Sequence, residues 1–147
     1  MRYVLDASAA LCWVLPRPNS GMALQLGTDF QNAVHELIAP SVFSGEVASS
    51  LTKAERQKLI SVGDARPLLA RVLRTPPIMY PYEPLLNRAV DISSQTRSGL
   101  YDCLYVVDCL YVVLAEQEGC ELVTDNQKLI ANLKPHFPFI VPLTSLP

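Results

Sequence analysis

Five short apolar runs separated by longer stretches of helical pattern constrain this chain more than anything else in its sequence. The runs are RYVL (Arg2–Leu5), then residues 37–39, Ile78–Tyr80, Glu121–Thr124 and residues 139–141. Helical patterning fills the intervals: 7–15, from an Asn-Ser-Gly start at 19–21 to about 36, 42 to about 59, 63–74, 84–96, 100–117 and 127–133. Strands joined by helices rather than by hairpin turns pair in parallel, and a parallel sheet buries both of its faces. The expected architecture is therefore α/β, three layers deep, with a mostly parallel central sheet. No linker-like composition interrupts the 147 residues, so residues 1–147 read as a single domain.

Parallel sheets carry their sites at the carboxyl edge of the strands. Asp6 closes the first strand, Glu46 lies in the first turns of the helix after the second, and Asp125 follows the strand ELVT. Asp102 and Asp108 fall in the early half of the long helical run. Carboxylates gathered at one edge repel one another unless a divalent cation sits between them, which makes Mg²⁺, or Mn²⁺, the natural occupant. Such a centre can hold a phosphodiester oxygen and activate water. Each acid also has a purely structural reading. Asp6, with Ser8, and Asp125 are candidate helix caps, and Glu46 could be a solvated helix glutamate.

A formal net charge of −2 excludes binding to nucleic acid by bulk attraction. The average conceals opposites, however. Between residues 53 and 74 stand Lys53, Arg56, Lys58, Arg66, Arg71 and Arg74 against only Glu55 and Asp64, a local excess of about +4. The first three of these basic residues are candidates for a phosphate-tracking rim, and a solvated helical face is the competing reading. The four cysteines show neither a CxxC pair nor metal-ligand spacing with His35 or His136, so buried free thiols in a reducing cytoplasm are expected. No signal-peptide pattern is read at the N-terminus, and the apolar stretch at 100–115 is too short and too charged to span a bilayer.

The string VLDASAALCWVL resembles the opening of PIN-domain proteins, IAPSVFSGEVASSL resembles their second strand and glutamate-bearing helix, and DCLYVVLAEQEGCELVTDNQKL resembles their acidic helix and following strand. Within that family the chain looks like VapC-type toxins of bacterial toxin–antitoxin pairs. The resemblance implies a Mg²⁺-dependent endoribonuclease, held in check by a small antitoxin protein and often dimeric. It assigns metal or water coordination to Asp6, Glu46, the helix aspartate and the acid after LVT, with Ser8 in support.

Two departures stand out. The family spaces its last acid as Thr-x-Asp, and here that position is Asn126, with Asp125 one residue early. The hexapeptide DCLYVV also occurs twice in succession, from Asp102 and from Asp108. On a helix those aspartates point about 120° apart and about 9 Å along the axis, so they cannot serve one site interchangeably. With Asp102 as ligand, Asp108 would press a charge on the core, so burial favours Asp108. A binding module of the same fold, its site impaired by the repeat, is the alternative to an enzyme. A haloacid-dehalogenase-type phosphohydrolase is disfavoured because it wants a second aspartate where Ser8 stands.

Overall fold

The computed structural model describes residues 1–95 and 106–146. Strands β1 (Arg2–Leu5), β2 (Glu36–Pro40), β3 (Ile78–Tyr80), β4 (Glu121–Thr124) and β5 (Ile140–Pro142) form one sheet in the order β3-β2-β1-β4-β5, every pair parallel. The helices are α1 (Ala7–Leu11), α2 (Ser20–Gln31), α3 (Phe43–Arg56), α4 (Ala65–Val72), α5 (Leu86–Gln95), α6 (Val106–Glu118) and α7 (Gln127–Leu133). Right-handed crossovers send α1 to α4 over one face and α5 to α7 over the other. The packing agrees: α1 lies on α3 and α3 on α4, while α6 lies along α5 and across β1, β2 and β4.

Burial on both faces explains the apolar runs. Val4, Leu5, Leu37, Ile38, Ala39, Leu122 and Val123 are fully enclosed. In α6 every residue from Cys109 to Ala115 is buried, so this helix is apolar on all sides and sits at the centre of its layer. Cys12 and Cys109 are unpaired thiols inside the core, both pushed up to about 12 mainly by burial. Among the described residues no helix is long and apolar enough to cross a membrane.

Several helices end earlier than the sequence pattern indicates, the first at Leu11 rather than residue 15. The second stops at Gln31 rather than near residue 36, and the third at Arg56 rather than near 59. Both close in the same way. Val34 N–H bonds the Asp29 carbonyl (2.8 Å) around Ala33 at φ 59°, and Leu59 N–H bonds the Ala54 carbonyl (3.0 Å) around Lys58 at φ 61°. These are Schellman turns with a left-handed residue that is ordinarily glycine. Where glycine is present, at Gly119 (φ 64°), the end of α6 is visible in the sequence. With Ala33 and Lys58 in that position the signal is missing. Glu36 consequently begins β2 opposite Arg2. The helix expected from 84 opens instead as a 3₁₀ turn, Glu83–Leu85, the one expected over 63–74 is confined to α4, and the last strand lies one residue later than expected. The part of the long helix expected over 100–105 lies outside the described residues.

A left-handed alanine carries a steric cost that glycine does not. Ala33→Gly is therefore expected to stabilise the fold by about 0.5–1 kcal/mol, measured by chemical denaturation. A loss of stability would show that the turn at 33 is not under strain.

Candidate active site

The chain reverses its direction of winding between β1 and β4, and this crevice is where an open parallel sheet exposes its strand ends to a ligand. Asp6 sits at its rim. Its N–H bonds the Val123 carbonyl (3.0 Å), extending the β1–β4 ladder one step, and the residue is only 4% exposed. Two hydroxyls meet the same carboxylate oxygen: Thr124 Oγ1 at 2.6 Å and Ser8 Oγ at 2.7 Å. Each hydroxyl in turn accepts a backbone N–H from the turn after β4, Thr124 from Asn126 (3.0 Å) and Ser8 from Asp125 (2.9 Å). Two short relays thus aim polarised O–H groups at one buried acid. Burial still dominates and pushes the Asp6 carboxyl up, against the pull of Thr124 and Ser8.

Glu46 enters from the first turn of α3 and accepts a hydrogen bond from Tyr111 Oη at 2.5 Å. Its carboxyl is pushed up to about 7, first by burial and then by the negative charges of Asp6 and Asp108, while Tyr111 pulls it back. Asp108 lies in the first turn of α6 and lines the same cleft as Glu46. Tyr111 stands one turn further along α6, fully buried, and its phenol is held well above its ordinary value by burial and by Asp6, Glu46 and Asp108. It is consequently a donor. The structure therefore brings Asp6, Glu46 and Asp108 together with Ser8, Thr124 and Tyr111. Asp102 lies outside the described residues.

Asp125 and Asn126 are engaged elsewhere. Asp125 accepts from Asn19 Nδ2 (2.7 Å) and from Cys12 Sγ (3.4 Å), clasping the loop between α1 and α2 to the end of β4. Asn126 Oδ1 accepts the N–H groups of Lys128 (3.1 Å) and Leu129 (3.2 Å), so Asn126, not Asp125, caps α7. Lys53 and Arg56 in the last turn of α3, and Lys58 just beyond it, are exposed, and among the described residues none makes an ion pair. Sequence reasoning passed over Tyr111 and Thr124. Tyr111 reads as one more core aromatic, and only its place three residues after Asp108 on one helix face signals a role at the site.

The donor set suits a hard divalent cation in kind: three carboxylates from three elements, with the strongest charges that described residues exert on Glu46 and Tyr111 all negative. As they stand, no three His, Cys, Asp or Glu side chains among the described residues lie close enough to hold an ion between them.

Two outcomes test this geometry. Glu46 has its folded value raised, so its contribution to stability is full below the ordinary carboxylate range and is lost as pH rises through about 7. In EDTA, Glu46→Gln should gain thermal stability relative to wild type between pH 5.5 and pH 8, and a difference independent of pH would contradict the buried, like-charged setting. Asn126→Ala should lose about 1 kcal/mol of stability and Asn126→Asp almost none, since aspartate caps equally well. Equal losses in a denaturant series would remove the capping role.

Comparisons with known proteins identify the family. The family profile described as PIN domain matches residues 3–133. VapC ribonuclease Mb0985 of Mycobacterium bovis (strain ATCC BAA-935 / AF2122/97) is 32% identical over 126 residues, covering 86% of this chain and 87% of that protein. Ribonuclease VapC12 of Mycobacterium tuberculosis (strain ATCC 25618 / H37Rv) is 32% identical over 127 residues, covering 86% and 88%. The crystal structure of PAE2754 from Pyrobaculum aerophilum aligns with a TM-score of 0.68 at 20% identity, over 99% of this chain and 85% of that one, a likeness of fold. With the profile spanning β1 to α7 and relatives of nearly the same length, this chain belongs to the PIN-domain family and is similar to its VapC ribonucleases.

Proposed function

We propose that the chain is a Mg²⁺-dependent endoribonuclease, the toxin of a toxin–antitoxin pair, with an antitoxin protein and a second copy of itself as partners. The observation that carries this reading is the enclosed Asp6 at the winding reversal, with Glu46 and Asp108 crowded on the same edge and, among the described residues, no compensating cation in the charges that act most on Glu46. The printed names of the relatives, ribonucleases of the VapC group, support it. Asp6 and Asp108 would anchor the ion, with Glu46 completing its shell. When bound, the cation supplies charge for the phosphodiester oxygens and lowers the pKa of water. Ser8 and Thr124 keep the Asp6 carboxylate oriented, and Tyr111 does the same for Glu46. Asp125 serves by holding the loop between α1 and α2 through Asn19 and Cys12. Lys53, Arg56 and Lys58 form the phosphate-facing rim.

The alternative reading is a PIN-fold binding module whose centre no longer closes. The absence of a ready three-donor cluster among the described residues favours it. One experiment separates the two. The ribonuclease should cleave single-stranded RNA with Mg²⁺ or Mn²⁺ and stop in EDTA, and Asp6→Asn and Glu46→Gln should each lower the rate by about 100-fold or more. Binding of Mg²⁺ at one hundred times its Kd should also stabilise the wild type by about 2.7 kcal/mol. A protein that neither cleaves nor gains stability with either ion is the binding module.

A further inference from the structure

A cleft of about 670 Å³ opens beside the acids, between the N-terminal half of α3, the segment after β3 and the start of α6. Glu46 and Asp108 stand at one end of it, Tyr82 and Val107 line a wall, and Ser49 and Ser50 line the side formed by α3. Among the described residues, none that lines it is basic. Val107 is 36% exposed, although it stands in the first turn of a largely apolar helix. Tyr82 is half-buried and its backbone is pinned, its N–H bonding Ser41 Oγ (3.1 Å), while Ser41 N–H bonds the Tyr80 carbonyl (2.8 Å).

The α3 face leading away from the acids has a definite order. Glu46, Ser49, Ser50 and Lys53 fall at positions i, i+3, i+4 and i+7, one stripe about 10 Å long from carboxylate to ammonium. Hydroxyls and apolar walls suit a ribose and a base, whereas a phosphate would find no cation among the described residues that line the cleft. Lys53, at the far end of the stripe, suits the next phosphate along the strand.

We propose that this cleft seats one nucleotide of a single-stranded RNA next to the scissile phosphate. The base lies against Tyr82 and Val107, the ribose faces Ser49 and Ser50, and the strand continues along α3 towards Lys53. The inference rests on the ribonuclease reading and adds the residues that hold the nucleotide beside the scissile phosphate. A base must leave its stack to pack against an aromatic side chain, and a serine hydroxyl can both donate to and accept from a 2′-OH.

The test uses the full chain with Mn²⁺ and a fluorescent single-stranded RNA, alongside the duplex of the same sequence and the DNA equivalent. Tyr82→Ala should raise KM by about 5- to 150-fold, the range for losing one base–aromatic contact, and Tyr82→Phe should lose less. Because Tyr82 also packs on the core, Ser49→Phe provides a second probe. Position 49 is exposed on α3, and a ring there fills the cleft, so KM should rise without a fall in thermal stability. Ser49→Ala/Ser50→Ala should narrow the preference for RNA over DNA, and binding to RNA in EDTA, read by anisotropy, should follow the same order as KM. Cleavage by the wild type with KM unmoved in Tyr82→Ala and Ser49→Phe overturns the subsite and leaves the ribonuclease standing. Binding that depends on Tyr82 without cleavage supports the subsite and removes the enzyme. A preference for duplex overturns the subsite.

Discussion

A carboxylate enclosed at the end of a central strand is costly unless donors surround it, and the arrangement around Asp6 answers that constraint. The β1–β4 pairing brings Thr124 beside it, the first turn of α1 returns Ser8 to it, and the turn after β4 points two N–H groups at those hydroxyls. One acid therefore ties together the two strands that flank the winding reversal and the helix that follows each. The site and the junction of the two halves of the sheet are the same piece of structure.

The same burial sets the electrostatics of the neighbours. Glu46 and Asp108 arrive from opposite layers, over the edge of the sheet, and Tyr111 spans the gap from inside α6. A fully buried phenol can donate but gives up its proton only with difficulty, so it offsets part of the repulsion on Glu46 and cannot neutralise it. A fold that gathers negative charge from three elements at a desolvated edge gives up stability at that edge.

Asp125 illustrates how a shift of one residue reassigns a side chain. In sequence it is the acid nearest the family position, yet residues before a helix cap face a different way from the cap itself. Asn126 takes the cap of α7 and Asp125 turns to the loop carrying Asn19. Neither outcome was legible in the local pattern, because aspartate and asparagine both cap helices well and the distant partners Asn19 and Cys12 carry no motif. The ends of α2 and α3 were illegible for a related reason: their left-handed residues are Ala33 and Lys58, and the stopping signal is written only where the residue is glycine.

By itself the sequence determined the alternation of strands and helices, the parallel sheet, the carboxyl edge as the place for Asp6 and Glu46, and the family, because periodicity and strand-end position are local properties. It also determined that positive charge gathers after residue 53. Only the tertiary structure decided which groups share the site. Tyr111 joins Glu46 across 65 residues and Thr124 joins Asp6 across 118, and contacts of that separation depend on strand order and register rather than on neighbouring residues. The cleft beside Tyr82 is likewise a product of packing, since its walls come from three segments that only the closed sheet brings together.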